Sequence, residues 1–285
     1  MILNRQNTAV IVDSTADLPD YLAMDPNLTI VPLMVHIGGE TYLDWVELKP
    51  EAFYEKLSVV EQLPRTSQPA VGVFKQLYER LRGHYEHIYS IHLSSEFSGT
   101  YSSACMAQQS VSGVTVVDSQ LATGGIALLV DRVMERLSAG IAKEDLDAYL
   151  SRYVADRGFY FIPQTLDYLA KGGRIGRAAH LVGTLLNITP VLTIKDGMAD
   201  AYKRVRGMRQ ALRAMQKAVL SHTSSGRPVY MSLMHAVNLP LLERLREAMQ
   251  LIPDRHIEIR LTTTVGPVIG TYCGPGAVGI CFIQE

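Results

Sequence analysis

Cysteine is scarce in this chain. Three residues, Cys105, Cys273 and Cys281, occur among 285. The count is odd and no CxxC pair is present, so they read as buried free thiols in a reducing cytoplasm, not as a disulfide framework or zinc site. Charge of one sign is missing too: 27 Lys and Arg against 28 Asp and Glu leave a formal net charge of -1. No basic stripe of the kind that binds nucleic acid stands out, and no like-charge tail. Long apolar runs are absent. The opening MILNRQNTAVIVDST is broken by Asn4, Arg5, Gln6 and Asn7. That apolar stretch is too short for a signal peptide, and no later run spans a membrane. The expectation is a cytoplasmic protein without stable membrane insertion and without a nucleic-acid partner.

Common catalytic signatures are also missing. There is no GxxxxGK[ST] loop for nucleotide phosphates and no GxSxG nucleophile elbow. There is no HExxH, and the eight His residues are scattered without ligand spacing. GGRIGR at 172–177 follows a helix-like segment and not a strand, so it is no dinucleotide fingerprint. No metal, no cofactor and no catalytic residue are assigned.

What is present is a long, 47% hydrophobic chain, enough for two domains. Thr8–Val12, Leu28–Val35, Ile88–Leu93 and Val114–Val117 are apolar, strand-like runs. Helical stretches near 50, over 70–82, from about 98 and over 122–137 alternate with them, which predicts a mainly parallel sheet with helices on both faces. Loops after such strands gather functional groups. Here 13–15, 94–100 and 118–119 are rich in Asp, Ser and Thr, and 65–69 is read as a further polar loop. A boundary falls near 155–163. Beyond it, 166–186 reads as a helix interrupted at Lys171–Arg174, and 189–194 and 199–205 as a hairpin turning at Asp196-Gly197. Helices near 207–221 and 239–250 alternate with strands at 228–234, 256–263 and 277–283, which predicts a two-layer α/β domain with a mixed sheet. The expected division is 1–160 and 161–285.

Hydroxyl-rich loops without a neighbouring base suit binding, because Ser and Thr donate to a carboxylate through bonds stronger than neutral ones. A hydroxyl just before a helix adds the free N–H groups of its first turn. The same spacing fits a plain N-cap at Ser98 and a plain turn residue at Thr66.

Several segments, in order, carry a resemblance. They are DSTADLP at 13–19, TSQP at 66–69, SSEFSGTYSSA at 94–104, LDYLAKGGRI at 166–175, LLNITPVL at 185–192, KRVRG at 203–207 and GPGA at 274–277. Together they resemble the DegV family across essentially the whole chain. The resemblance implies an N-terminal α/β/α domain with a parallel sheet and a smaller C-terminal α/β domain. It also implies a long-chain fatty acid buried in an apolar tunnel between them. Some members of that family are the fatty-acid-binding subunits of bacterial fatty acid kinase and present the carboxyl group to a separate ATP-binding subunit. The family's carboxylate ligands fall on Thr66 and Ser98. Ser95, Gly99 and Tyr272 are candidate additional contacts, and Arg174 and Arg206 candidate contacts for a partner or a phosphate. Surface or inter-domain ion pairs fit both arginines equally.

One position departs from the pattern. Where the family commonly reads HTGPG, this chain reads YCGPG, with Tyr272 in place of His. A phenol donates a hydrogen bond but is neutral at pH 7, so a charge-assisted contact is expected to be lost and transfer to a kinase is put in question. Apolar walls are expected from 30–35, 159–162, 181–188 and 265–269. Two other readings stay open: a lipid-sensing module without a kinase partner, and an acyl hydrolase or transferase with Ser98 as nucleophile.

Overall fold

Thr8–Asp13 is buried at every position, as a central parallel strand must be when helices cover both its faces. The computed structural model describes residues 1–183 and 188–285. Along the first half run β1 (Ile2–Leu3), β2 (Thr8–Asp13), α1 (Asp20–Ala23), β3 (Leu28–Val31), β4 (Met34–Ile37), β5 (Glu40–Leu43), α2 (Pro50–Leu57), β6 (Arg65–Ser67), α3 (Val71–Arg82), β7 (His87–His92), α4 (Thr100–Gln108), β8 (Val114–Asp118), α5 (Gly124–Ala139), β9 (Ile141–Ala142) and α6 (Lys143–Asp156). The second half adds β10 (Gly158–Ile162), α7 (Asp167–Lys171), β11 (Thr189–Lys195), β12 (Met198–Val205), α8 (Met208–His222), β13 (Pro228–His235), α9 (Leu239–Gln250), β14 (His256–Thr264), α10 (Pro267–Cys273) and β15 (Val278–Gln284).

The first sheet has the order β3-β2-β7-β8 and is parallel throughout. Strand alternation sends Ala9 and Ile11 into a core with Phe74, Tyr78 and Ala104 of α3 and α4. Val10 and Val12 point the other way, into a larger core with Leu128 and Val133 of α5. The second sheet, β12-β11-β10-β15-β13-β14, is mixed: only β13 and β14 run parallel. One face packs Tyr160, Ile162, Met231 and Ile280 against Ala211, Met215 and Leu245 of α8 and α9. The opposite face packs Phe159, Met234 and Cys281 against the α5 side. Helix α5 is buried along most of its length because it lies between the two sheets. The α/β class, the parallel sheet and the mixed sheet are as the sequence pattern predicts.

Local corrections matter for the site. The apolar run 28–35 is not one strand. Pro32 has no N–H for a ladder, and the chain divides there into β3, which stays in the parallel sheet, and β4, which leaves it. The segment expected as a polar loop, 65–69, contributes β6, which pairs antiparallel with β4 and sets Thr66 opposite Val35. The helix expected over 166–186 is short. After α7 the chain turns at Gly172-Gly173 and continues as a 3-10 segment over Gly176–Leu181. The remainder of that helix, and of the motif LLNITPVL, at 184–187 lies outside the described residues. The turn at Asp196-Gly197 has both residues at positive φ, +50° and +75°, the geometry of a tight two-residue hairpin.

Candidate functional site

A cavity of about 990 Å³, counting its open mouth, runs between the first sheet's loops and the face of the second sheet that carries Phe159. The enclosed part of that space is much smaller, about 150 Å³. Its walls are apolar: Leu33, Leu93, Phe159, Ile194, Val265 and Met234 are all buried. In β10, Phe159 and Phe161 line the cavity while Tyr160 and Ile162 face the opposite core. Half of the expected 159–162 wall is therefore turned away by the two-residue period of the strand. Of 265–269, Val265, Val268 and Ile269 line it; of 30–35, Leu33 does. Leu181 packs with Leu166, Leu169 and Leu192 in a satellite cluster beside it. Leu93, Ala122, Ile194, Met234 and Ala277 also contribute, and no local pattern distinguishes them from ordinary core.

Polar groups gather at one end. Thr66 Oγ1 and the Tyr272 hydroxyl are 2.6 Å apart, from residues 206 positions distant in the chain. The Arg174 guanidinium lies 4.9 Å from the centre of the Tyr272 ring, within cation–π range. It is fixed by donating from Nε to Phe97 O (3.2 Å) and from Nη1 to Gly172 O (2.9 Å). A cation therefore stands beside Tyr272. Gly172 is required for this packing, because a Cβ there would strike the Tyr272 ring. Gly172 and Gly173 thus make a turn that seats an aromatic ring.

Ser98 comes from the loop after β7. Its Oγ is 2.9 Å from Thr100 Oγ1 and accepts from Thr100 N at 3.3 Å, so it caps the first turn of α4 although Gly99 is the cap residue. Gln68 joins the two hydroxyl loops by donating to Gly99 O (3.2 Å) and Ser103 Oγ (2.9 Å). A Cβ at Gly99 would collide with the Gln68 amide. Thr66, Gln68, Ser98, Gly99, Arg174 and Tyr272 all line the cavity. Thr66, Ser98, Arg174 and Tyr272 are half-buried and Gln68 is exposed, so this end is the mouth. Ser95 and Arg206 are not brought there. Ser95 donates to Asp118 Oδ2 at 2.5 Å, and Arg206 is exposed beyond the end of β12.

Helix α10, which carries Val268, Ile269, Tyr272 and Cys273, rests on buried acids. Asp44 Oδ1 accepts from Val268 N (3.4 Å) and Asp17 Oδ1 from Trp45 Nε1 (2.8 Å). The second oxygen of each carboxyl has no hydrogen-bond partner. Burial pushes the Asp44 carboxyl up to about 7. Burial, reinforced by Asp44, holds Asp17 well above the usual carboxylate range.

Two groups bear on enzyme chemistry. Cys273 lines the cavity, but burial pushes its thiol up to about 12, which leaves it protonated and a poor nucleophile. A Ser-His-Asp relay, invisible to motif reading, exists in Ser90, His92 and Asp13: His92 Nε2 is 2.7 Å from Ser90 Oγ and Nδ1 is 3.0 Å from Asp13 Oδ2. All three are fully buried, and Tyr78 donates to Ser90. No substrate reaches this serine, so the relay ties the end of β2 to β7. Among the described residues, no cluster of His, Cys, Asp and Glu could hold a metal, and no helix is long and apolar enough to cross a membrane.

The Tyr272→Phe variant isolates one bond. The ring stays on Gly172 and under Arg174, while Thr66 loses its partner. Denaturant titration is expected to show a loss of about 1 kcal/mol; an unchanged midpoint would mean that the contact carries no stability.

Comparison with known proteins places this geometry. A DegV-domain protein of Halalkalibacterium halodurans is 35% identical over 280 residues, covering 97% of this chain and 98% of that one. Protein DegV of Bacillus subtilis is 32% identical, covering 97% and 99%. A structure described as showing fatty acid binding by a DegV family protein from Thermus thermophilus matches with a TM-score of 0.93 at 33% identity, covering 98% of this chain and all of that one. The structure of Bacillus subtilis DegV, described as a fatty acid binding protein, matches with a TM-score of 0.83 at 30% identity. The model of the DegV family, described as uncharacterised proteins, matches residues 7–285, and the chain belongs to the DegV family.

Proposed function

We propose that this protein binds a long-chain fatty acid, with its hydrocarbon in the apolar cavity and its carboxylate at the mouth between Thr66 and Ser98. The observation that carries the reading is a largely apolar cavity with a cluster of polar side chains at its mouth. Buried apolar walls end in two hydroxyls, the Tyr272 phenol and the Arg174 guanidinium. Each methylene moved out of water contributes about 0.8 kcal/mol, so the chain supplies most of the affinity. The hydroxyls fix its direction, since a carboxylate accepts from both and has Arg174 nearby as a counter-charge. The acid lies where residues 1–160 and 161–285 meet, which we take as two domains. The protein does no chemistry of its own on this reading.

The polar end is also the exposed end, so the carboxylate is offered outward. That suits handing it to a separate ATP-binding kinase subunit for acyl-phosphate formation, with Arg174 beside the oxygen that would receive the phosphoryl group. Lipid extracted from the purified protein under denaturing conditions is expected to contain fatty acid by mass spectrometry. Its repeated absence, with no binding on titration, overturns the reading. Failure of the loaded protein to support phosphorylation with any fatty acid kinase subunit would leave a carrier or sensor without a kinase.

A further inference from the structure

Met234 lines the cavity from β13, and the polar groups of the mouth are not among its neighbours at Gly124 and Gly279. We infer that Met234 sets the upper limit on acyl-chain length, acting as a thioether stopper in front of a buried pair of hydroxyls, Ser232 and Thr263. The inference rests on the fatty-acid reading and deepens it by naming the specificity residue.

Met234 lies on β13, on the face turned toward α5, and is 3% exposed. It spans the gap between two backbones. A Cβ built at Gly279 of β15 would stand 3.1 Å from Met234 Cγ, and one at Gly124, the first residue of α5, 3.1 Å from Met234 Cε. The side chain thus reaches from the cavity wall to the start of the helix. Beside it, the adjacent Gly125 position is closed by the Phe159 ring, also 3.1 Å from a Cβ there. An unbranched chain entering from the mouth would meet this side chain.

What stands behind is polar. Ser232 Oγ and Thr263 Oγ1 lie 3.3 Å and 3.1 Å from the same Gly124 Cβ position, beside Met234 Cε. Both residues are buried, and both oxygens lack a hydrogen-bond partner. Hydrocarbon beside such groups leaves them unpaired, as the Met234 methyl already does. The limit therefore has two parts. Met234 fills the space, with the conformational freedom of a side chain that adapts to small differences in ligand length. The hydroxyls behind it gain no partner from an apolar methyl end that displaces it. A chain ending in a hydroxyl is the exception, because Ser232 and Thr263 can bond to it.

The test is a titration of the full chain, stripped of lipid, with a homologous series of saturated straight-chain acids and their ω-hydroxy counterparts. Wild type is expected to gain about fourfold per added methylene up to a sharp limit. Met234→Ala removes Cγ, Sδ and Cε and is expected to move that limit to acids longer by roughly two or three carbons. It should also favour the ω-hydroxy acid over the plain acid of the same length more than wild type does. Met234→Val, a gentler truncation that guards against loss of fold, should move the limit in the same direction by less. An unchanged limit in the folded variants, with wild type still binding, overturns the role of Met234 and leaves fatty-acid binding standing. No binding of any acid by wild type overturns both.

Discussion

Replacing Thr66 and Ser98 together by alanine is expected to weaken binding of a free long-chain acid roughly 100-fold or more, while changing binding of its methyl ester far less. Hydrogen bonds to charged groups are worth roughly 1.5–3 kcal/mol each, and removing both hydroxyls removes one from each side of the carboxylate. The ester keeps the hydrocarbon and loses the charge, so it reports on the apolar walls alone. Both residues are half-buried at the mouth, and neither side chain is part of a core cluster. The fold should therefore survive, which thermal unfolding of the variant would verify. The Tyr272 hydroxyl loses its partner in this variant, so part of the penalty is the cost of that orphaned group. Losses of equal size for acid and ester would show that the hydroxyls do not hold the carboxylate.

A second large effect is expected from the acids beneath α10. The Asp44 carboxyl stands at about 7 in the folded protein, against an ordinary 3.8, because its burial, with Asp13 nearby, outweighs the hydrogen bond from Val268 N and the charge of Lys49, which lower it. A proton is thus held more tightly in the folded state. Below about pH 4 both states are protonated and the contribution is fully present. As pH rises from about 4 through about 7, the unfolded chain releases a proton that the folded chain keeps, and stability falls. Above about 7 the folded state releases it too, and the loss levels off. The whole difference corresponds to something on the order of 4 kcal/mol. Asp17, raised by burial and by Asp44, shifts in the same direction and steepens the fall. Asp44→Asn keeps the shape and remains uncharged, so it is expected to flatten the decline and to be the more stable protein at pH 8. Denaturant titrations of both proteins between pH 4 and pH 8 would decide it, and parallel curves would remove Asp44 as the cause.

Much of the fold was legible because the signals are local. Runs such as Thr8–Val12 are too short and β-branched for helices, and the intervening stretches carry helical spacing. Asp196-Gly197 announces its turn through two residues that tolerate positive φ. The differences have two sources, a proline inside an apolar run and a strand partner far away in the sequence. Pro32 breaks an apolar run whose hydropathy is continuous, and β6 is a strand only because β4 offers it an edge. The site motifs drew attention to Thr66, Ser98, Gly99, Arg174 and Tyr272, and the cavity gathers all five. They also named Ser95 and Arg206 as further candidates, which the fold sends to Asp118 and to the surface.

By itself, the sequence determined the class of fold, the order of its elements and the hydroxyl loops that follow its strands. These follow from periodicity and turn chemistry acting over a few residues. Only the tertiary structure decided that Thr66 meets Tyr272, that Arg174 lies over the same ring, and that Met234 packs between Gly279 and the start of α5. It alone sealed Ser90, His92 and Asp13 away from any substrate. Such contacts join residues up to 206 positions apart, and they exist because two sheets close on one helix, which no local preference encodes.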